Sequence, residues 1–320
     1  MKSSSPQERN RTSPLHFSFL TFNLLAPCYA VRPPAVCARS GSSAVAENAP
    51  EWLDPQHWRN RAEHLCAFLC TDTGATPSNE KLERMPSETL AEIICLQEYT
   101  FEPAFEELFQ RWFPESTFQW IKAKRPGKKR DGLVILFRRH HFRVHGWQCF
   151  ALNPLGDRIG LLVHLVPLRA PHMHLFVANV HLTFPHHPWD TLTRKLQART
   201  IHRVMSKALE EISPRYRLAV LCGDWNTLSL EDPILEYLET VGYSRCRLPE
   251  RTITHLTHDG RQICCDHIFI DGAQQNVIAE AQLLPPDLRH DEWPQADVYD
   301  LSDHRPVRVE LTLESERCSL

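Results

Sequence analysis

The stretch Leu218-Ala219-Val220-Leu221-Cys222-Gly223-Asp224-Trp225-Asn226 is a short apolar run that ends on Gly-Asp-Trp-Asn. Its length and composition read as a buried β-strand. A strand that stops on Gly-Asp-x-Asn delivers a carboxylate and a carboxamide, two positions apart, to the same side of a sheet edge. That pairing suits an in-line attack on phosphorus. The carboxylate orients or deprotonates a water, and the carboxamide hydrogen-bonds a phosphoryl oxygen or the leaving group. The same tetrapeptide also makes an ordinary turn, with Gly and Asp in their usual places. Its meaning therefore depends on what else the chain carries.

Working outward, polar groups flank apolar runs at four more places. Asn23 ends the run at 17–22, Glu98 follows 93–97, His181 follows 176–180, and Asp303 with His304 precede 307–313. Singly, each reads as a turn residue, a surface acid or a loop histidine. Five segments that place acid, amide or imidazole groups at strand boundaries build a polar pocket if those boundaries share one edge. The oxygen donors of Asn23, Glu98 and Asp303 fit Mg²⁺, which keeps several waters and needs only one or two carboxylates. Mn²⁺ takes the same octahedral oxygen sites, and Glu98 is the natural anchor. Cys264-Cys265-Asp266-His267 raises zinc as an alternative. It lacks the paired cysteine spacing of a structural zinc site, and alternating strand residues do not converge on one ion. It reads as buried strand thiols, with Asp266 the exception.

The 320 residues are 23% charged and 42% apolar, with a net charge of −3, which is ordinary for a soluble globular enzyme and excludes a generally basic nucleic-acid coat. Eleven scattered cysteines without a repeated Cys-x-x-Cys framework, together with a polar N-terminus, predict a reduced intracellular protein, in cytoplasm or nucleus, while the acid-poor, Ser-containing start leaves organelle targeting open. Residues 1–14 and 316–320 read as tails around one α/β domain over 15–315, with irregular insertions at about 32–54 and 71–88. Strands are expected from His16, at 93–96, 133–137, 159–166, 175–180, 218–222, 264–270 and 307–313. Helices are expected at 55–70, around Phe105–Trp112, from Leu192 to Leu209, and from Pro233.

The ordered set Thr-Phe-Asn-Leu-Leu-Ala-Pro (21–27), Ile-Cys-Leu-Gln-Glu (94–98), Asp-Gly-Leu-Val-Ile-Leu-Phe (131–137), Asn-Val-His-Leu (179–182), Gly-Asp-Trp-Asn (223–226), Asp-His-Ile (266–268) and Ser-Asp-His-Arg-Pro-Val (302–307) resembles the endonuclease/exonuclease/phosphatase superfamily. The match runs from about His16 to about Leu313. Phe-Asn-Leu-Leu-Ala-Pro and Arg194-x-x-Gln197 look like its carbon-catabolite-repressor/nocturnin/angel branch, which includes poly(A) deadenylases, and the set looks closest to poorly characterised plant and algal members. The resemblance implies a DNase-like, four-layer α/β sandwich: two packed mixed sheets with helices outside and the site at one rim. It also implies roles. Glu98 would hold Mg²⁺ with Asn23 nearby and Asp303 completing the shell. Asp224 would align or activate the water, and Asn226 would contact the phosphate. His304, oriented by Asp266, would bind the scissile phosphate or transfer a proton, and His181 would stabilise the developing charge.

Lys122, Lys124, Arg125, Lys128, Lys129 and Arg130 form a basic loop that reads either as solvated surface or as a phosphate-tracking ridge. Trp225 is a candidate base-stacking residue or a core residue, and Arg158 a candidate phosphate contact or ion-pair partner. The reading that leads is a Mg²⁺-dependent 3′ exoribonuclease resembling a deadenylase. The alternatives are a phosphodiesterase or phosphatase of small esters (phosphoinositides, nucleotides or phospholipids) and an inactive adaptor.

Overall fold

The computed structural model describes residues 14–30, 51–71, 89–154, 156–271, 277–289, 299 and 301–314. The expected tails, and all of the expected insertions but 51–54 and 71, lie outside these residues, Pro14 aside. Twelve strands form two mixed six-stranded sheets. The first contains β1 (Leu15–Asn23), β2 (Ile93–Thr100), β3 (Phe118–Lys124), β4 (Asp131–Arg138), β13 (Val277–Leu283) and β14 (Val307–Leu313), in the order β13-β14-β1-β2-β4-β3. The second contains β5 (Phe142–Ala151), β6 (Ile159–Pro167), β7 (His174–His181), β8 (Arg217–Asp224), β9 (Tyr243–Arg245) and β12 (Asp266–Asp271), in the order β5-β6-β7-β8-β12-β9. A small ribbon of β10 (His255–Leu256) and β11 (Gln262–Ile263) stands apart.

The period-two alternation of the strands splits the core in two directions. On β1, Phe17 and Phe19 face the other sheet, while Leu20 and Phe22 pack under the helices α1 (Pro55–Leu69) and α2 (Pro103–Trp112). On β8, Leu218, Val220 and Cys222 face inward, while Ala219 and Leu221 pack under α3 (Asp190–Leu209) and α4 (Pro233–Thr240). The result is helix, sheet, sheet, helix: the four layers expected. Each helix that opens on proline does so where its missing N–H costs nothing, at Pro55, Pro103 and Pro233. Asp54 and Asp232 cap α1 and α4 through their side chains.

The same alternation positions the site. Asn23 continues the inward phase of Phe17 and Phe19, and Asp224 that of Val220 and Cys222. His181 continues that of Leu175 and Val177, and Asp266 begins that of Ile268 and Ile270. At the rim the inter-sheet core thus changes from apolar to ionisable. Between the two lies a buried amide layer. Gln97 Nε2 donates to Thr21 Oγ1 (3.0 Å) and Asn179 Oδ1 (2.7 Å), and Asn179 Nδ2 donates to the carbonyls of Leu96 and Val134 (2.8 Å each). These bonds tie the two sheets directly beneath the site.

The structure departs from the expectations in three respects. The strands β3, β5, β9 and β13 were not expected, and all four are sheet edges. An edge strand is half-solvated and polar, so β3 reads as part of a basic loop, although Lys122 and Lys124 lie within it. The β2 strand does not end at Glu98 but bulges there: its register shifts between Leu96 and Tyr99, and Glu98 takes φ 54°. Residues 51–53, placed in an insertion, form a 3₁₀ turn whose Glu51 is buried. Among the described residues, no helix is long and apolar enough to cross a membrane, and nine cysteines are unpaired thiols.

Candidate active site

Three strands bring three functional side chains into one row. The parallel β7–β8 register sets His181 opposite Asp224, and the antiparallel β8–β12 register sets Asp224 opposite Asp266. The approach of β7 to β8 depends on Gly223, since a Cβ there would strike the Val180 carbonyl. Asn226 follows in the left-handed region at φ 51°, and its N–H donates to Asp224 Oδ1 at 2.9 Å. This turn, favoured by asparagine, fixes the Asp224 carboxylate. One Asn226 amide N–H donates to the Leu182 carbonyl at 2.8 Å.

Asp224 Oδ2 is the point of convergence. Asn23 Nδ2 lies 3.1 Å from it, His181 Nε2 3.4 Å and His304 Nε2 3.8 Å. Burial raises the Asp224 pKa above the usual carboxylate value, Asp266 adds to this, and the imidazoles of His304 and His255 pull against it. His304 sits in the loop before β14, with Nδ1 2.9 Å from Asp266 Oδ2. Burial alone would lower its pKa. The carboxylates of Asp266, Asp224 and Asp303 outweigh that and bring it up to about 10, so the ring is an imidazolium at neutral pH. His181 goes the other way: burial, with Arg158 and Arg125 nearby, drives its pKa well below the ordinary value and keeps it neutral.

The rim of the first sheet supplies oxygen donors. Glu98 Oε2 accepts the Ala26 N–H (2.9 Å), and Asn23 Oδ1 accepts the Leu25 N–H (3.0 Å). Burial pushes Glu98 up to about 7, and the neighbouring carboxylates of Asp303 and Asp131 push in the same direction. An all-oxygen set crowded with negative charge suits a hard divalent cation, so Glu98, Asn23 and Asp303 fit Mg²⁺ or Mn²⁺. A second, mixed set lies beside it: single ligand atoms of Asp224, Cys265, Asp266 and His304 all fall within 4.8 Å of one another, as do those of His255, Cys265 and His304. Neither group contains Glu98, and both carry the Cys265 thiol, which burial holds well above its ordinary pKa.

Several residues around the site carry no strong mark in the sequence. His255, on the β10 ribbon, stacks on His304 with ring centroids 3.8 Å apart and planes at 10°, and its Nε2 lies 3.4 Å from Asp303 Oδ2. Arg61, inside α1, is buried and donates to the carbonyls of Leu24 (2.8 Å), Leu25 (2.6 Å) and Leu301 (2.8 Å), while its Nε donates to Glu51 Oε1 (2.8 Å). It thereby ties the loop that follows Asn23 to the loop that carries Asp303 and His304. Arg61→Met is expected to cost about 3–5 kcal/mol in chemical denaturation, since it strands the buried Glu51 carboxylate and three carbonyls. A loss below about 1 kcal/mol would show that this guanidinium is not what joins the loops. The only sequence signal for Arg61 is a charged residue on the apolar face of an amphipathic helix.

The substrate candidates separate. Trp225 is fully buried, packs on Phe269, and donates its Nε1–H to the His267 carbonyl at 3.1 Å. It is a core residue, and the stacking role is withdrawn. Of the basic segment, Lys122 bonds Glu106 (2.7 Å), Arg125 pairs with Asp131 (3.1 Å) and Asp157 (2.7 Å), and Arg130 with Glu102 (2.9 Å). Lys129 approaches Asp157 at 3.5 Å, and Lys128 is exposed. A continuous free ridge is therefore absent: the charges of Lys122 and Arg125 are spent within the fold, and Arg130 is paired at the surface. Arg158 differs. Its Nη1 is buried without a hydrogen-bond partner, and it lines a small cleft with Arg125, Asp131 and His181. A half-buried guanidinium whose Nη1 has no partner, beside the histidine row, could contact an anion.

Comparison with known proteins agrees with this geometry. Among curated sequences, an uncharacterized calcium-binding protein of Arabidopsis thaliana is 22% identical over 237 residues, covering 71% of this chain and 43% of that protein. Protein angel homolog 2 of Danio rerio is 26% identical over 226 residues, covering 67% of this chain and 34% of that protein. The chain thus spans less than half the length of the curated relatives it matches. Among solved structures, ANGEL2, described as a 2′,3′-cyclic phosphatase, in complex with adenosine-2′,3′-vanadate, superposes with a TM-score of 0.69 at 15% identity, over 96% of this chain and 98% of that one. The human Nocturnin catalytic domain gives 0.62 at 14%, over 95% and 98%. The sequence profile of the Endonuclease/Exonuclease/phosphatase family matches residues 22–304. The chain belongs to that family, whose members are hydrolases of phosphate ester bonds.

Proposed function

We propose that the chain is a Mg²⁺-dependent phosphodiester hydrolase acting on RNA 3′ ends. The observation that carries this reading is the convergence of Asn23, His181 and His304 on Asp224 Oδ2, with Arg158, whose Nη1 has no hydrogen-bond partner, on the cleft that His181 also lines. Glu98, Asn23 and Asp303 would hold the cation, which would supply Lewis-acid neutralisation of phosphoryl charge. Mn²⁺ would serve the same donors.

Asp224 takes a proton from the attacking water. Its burial-raised pKa makes it a stronger base than an exposed aspartate. The water oxygen forms the new bond to phosphorus as the bond to the leaving oxygen breaks on the opposite side, and the departing alkoxide takes a proton from solvent. His304, held charged by Asp266, donates Nε2–H to a phosphoryl oxygen. Neutral His181, the second Asn226 amide N–H and Arg158 supply further donors to the charge that gathers on the transition state. His255 acts only through His304 and Asp303, by fixing their positions. Lys128 and Lys129 remain outer contacts for the ribose-phosphate chain, where positive charge adds affinity without sequence preference.

The likeness to ANGEL2 favours a second reading within the same chemistry, opening of a terminal 2′,3′-cyclic phosphate. One assay separates the two. RNA labelled at the 5′ end is offered with and without an adenosine tail, ending in a hydroxyl or in a 2′,3′-cyclic phosphate, with Mg²⁺ or chelator. A ladder shortening from the 3′ end, lost in chelator, establishes the exonuclease, and the tails report any adenosine preference. Conversion of the cyclic end without shortening selects the second reading. Untouched RNA with folded protein overturns both and directs attention to small phosphate esters.

A further inference from the structure

The two most exposed large apolar side chains among the described residues are Trp189 at 65% and Leu192 at 60%. They stand three residues apart at the start of α3, and Leu196, 47% exposed, continues them one turn further along. The same face is cationic. At 3.6 residues per turn, Leu192, Leu196, Lys195, Arg199, Arg203 and Lys207 fall within an arc of about 120°. The other side of the helix carries Ala198, Ile201, Met205 and Leu209 into the core.

The charge on this arc is unspent. Arg194, on the inner side, pairs with Asp232 at 2.9 Å, whereas Lys195, Arg199, Arg203 and Lys207 make no ion pair among the described residues. Arg199 lies 6.0 Å from the Tyr237 ring, a contact that keeps its charge. The acid of α3, Asp190, stands in its first turn, and its Oδ2 accepts the His187 N–H at 2.8 Å. Of the exposed acids on the adjoining α4, Glu239 approaches Arg245 at 3.6 Å, which leaves Glu236 against the cations.

Candidate occupants use these features differently. A second copy of the chain on the same face would set like charge against like charge. RNA would use the cations, but it would leave both leucines in water, and one face of Trp189 is already stacked on His187 (centroids 4.7 Å apart). A lipid surface with anionic headgroups uses everything: apolar side chains enter the headgroup–acyl boundary, and cations are drawn to the negative surface potential.

We propose that the outward face of α3 docks the protein on an anionic lipid surface, with Trp189, Leu192 and Leu196 entering it and Lys195, Arg199, Arg203 and Lys207 binding its headgroups. The first half of α3 also sits on the loops of the site. The Thr183 N–H donates to Gln197 Oε1 (3.1 Å), and Arg194 Nη1 donates to the Asn226 carbonyl (2.9 Å). Docking therefore brings the site to the membrane without a spanning helix. The proposal stands apart from the substrate read above, because it is measured without turnover.

Vesicle flotation at about 0.15 M salt tests it. Vesicles of about three parts phosphatidylcholine to one of phosphatidylserine should bind the protein about tenfold or more tightly than phosphatidylcholine alone. Arg199→Gln with Arg203→Gln should weaken that binding about 25-fold, each charge near the surface being worth about fivefold. Trp189→Ala with Leu192→Ala should weaken it about tenfold or more. Both should keep the melting temperature, since all of these side chains are exposed. Arg143→Gln, which removes an exposed cation from the β5 edge strand, should bind as the unaltered protein does. No binding, equal binding to the two vesicles, either double variant binding like the unaltered protein, or Arg143→Gln matching the loss overturns the proposal. Binding of RNA in chelator that the arginine variant abolishes, with vesicles left unbound, overturns it as well and gives the face to nucleic acid.

Discussion

Asp224→Asn is expected to lower turnover by about 10³-fold or more while leaving KM and the melting temperature nearly unchanged. The substitution keeps the shape and the Oδ1 that accepts the Asn226 N–H, so the turn that fixes residue 224 survives. It removes the one carboxylate on which Asn23, His181 and His304 converge, and with it the proton acceptor for the water. His304 keeps its Asp266 partner at 2.9 Å and remains able to bind a phosphoryl oxygen, which is why affinity should hold. Stability should not fall, because a buried carboxylate held near others of like charge is a cost to the fold that the amide relieves. Stopped assays on a 3′-labelled oligomer with thermal melts of both proteins give the comparison. Turnover within tenfold of the unaltered protein would move the base elsewhere, and a large loss of melting temperature would mean that the residue acts chiefly in the fold.

What the sequence made legible follows from periodicity. Asn23, His181, Asp224 and Asp266 sit in the same phase as the inward-facing residues of their strands, so reading the apolar alternation to its end locates them on one rim. Glu98 breaks that logic: it is in the outward phase, and only the bulge and its left-handed backbone turn it to the site. A motif can mark such a residue, whereas alternation alone would have sent it under α2. The edge strands were missed because half-solvated strands carry little apolar signal. His255 and Arg61 were missed because their importance lies in what they touch, a stacked ring and three carbonyls, all distant in sequence. Trp225 was open between two readings because a tryptophan inside a polar tetrapeptide looks exposed, yet it points to the opposite face from Asp224 and Asn226.

The Glu98→Gln variant carries the metal assignment, and its largest effect should be seen without substrate. In the metal-free protein the Glu98 pKa stands at about 7 against an ordinary 4.5, so the folded state favours the protonated form. The linked stability is present at pH below about 4.5 and is lost as pH rises through about 7. The amide has no such loss, so in chelator the variant should become progressively more stable than the unaltered protein across that window. Adding Mg²⁺ should close most of that gap. A cation at a hundredfold its dissociation constant adds about 2.7 kcal/mol to a fold that binds it. The unaltered protein should gain that increment, and the variant, deprived of the anchoring charge, should gain little and lose Mg²⁺-dependent activity together with it. Equal stabilisation of both proteins by Mg²⁺ would place the cation on the neighbouring Asp224, Asp266 and His304 group instead. Thermal melts at pH 5 and pH 8, each with chelator and with Mg²⁺, separate these outcomes because only an ion anchored on Glu98 makes the metal effect and the pH effect vanish in the same variant.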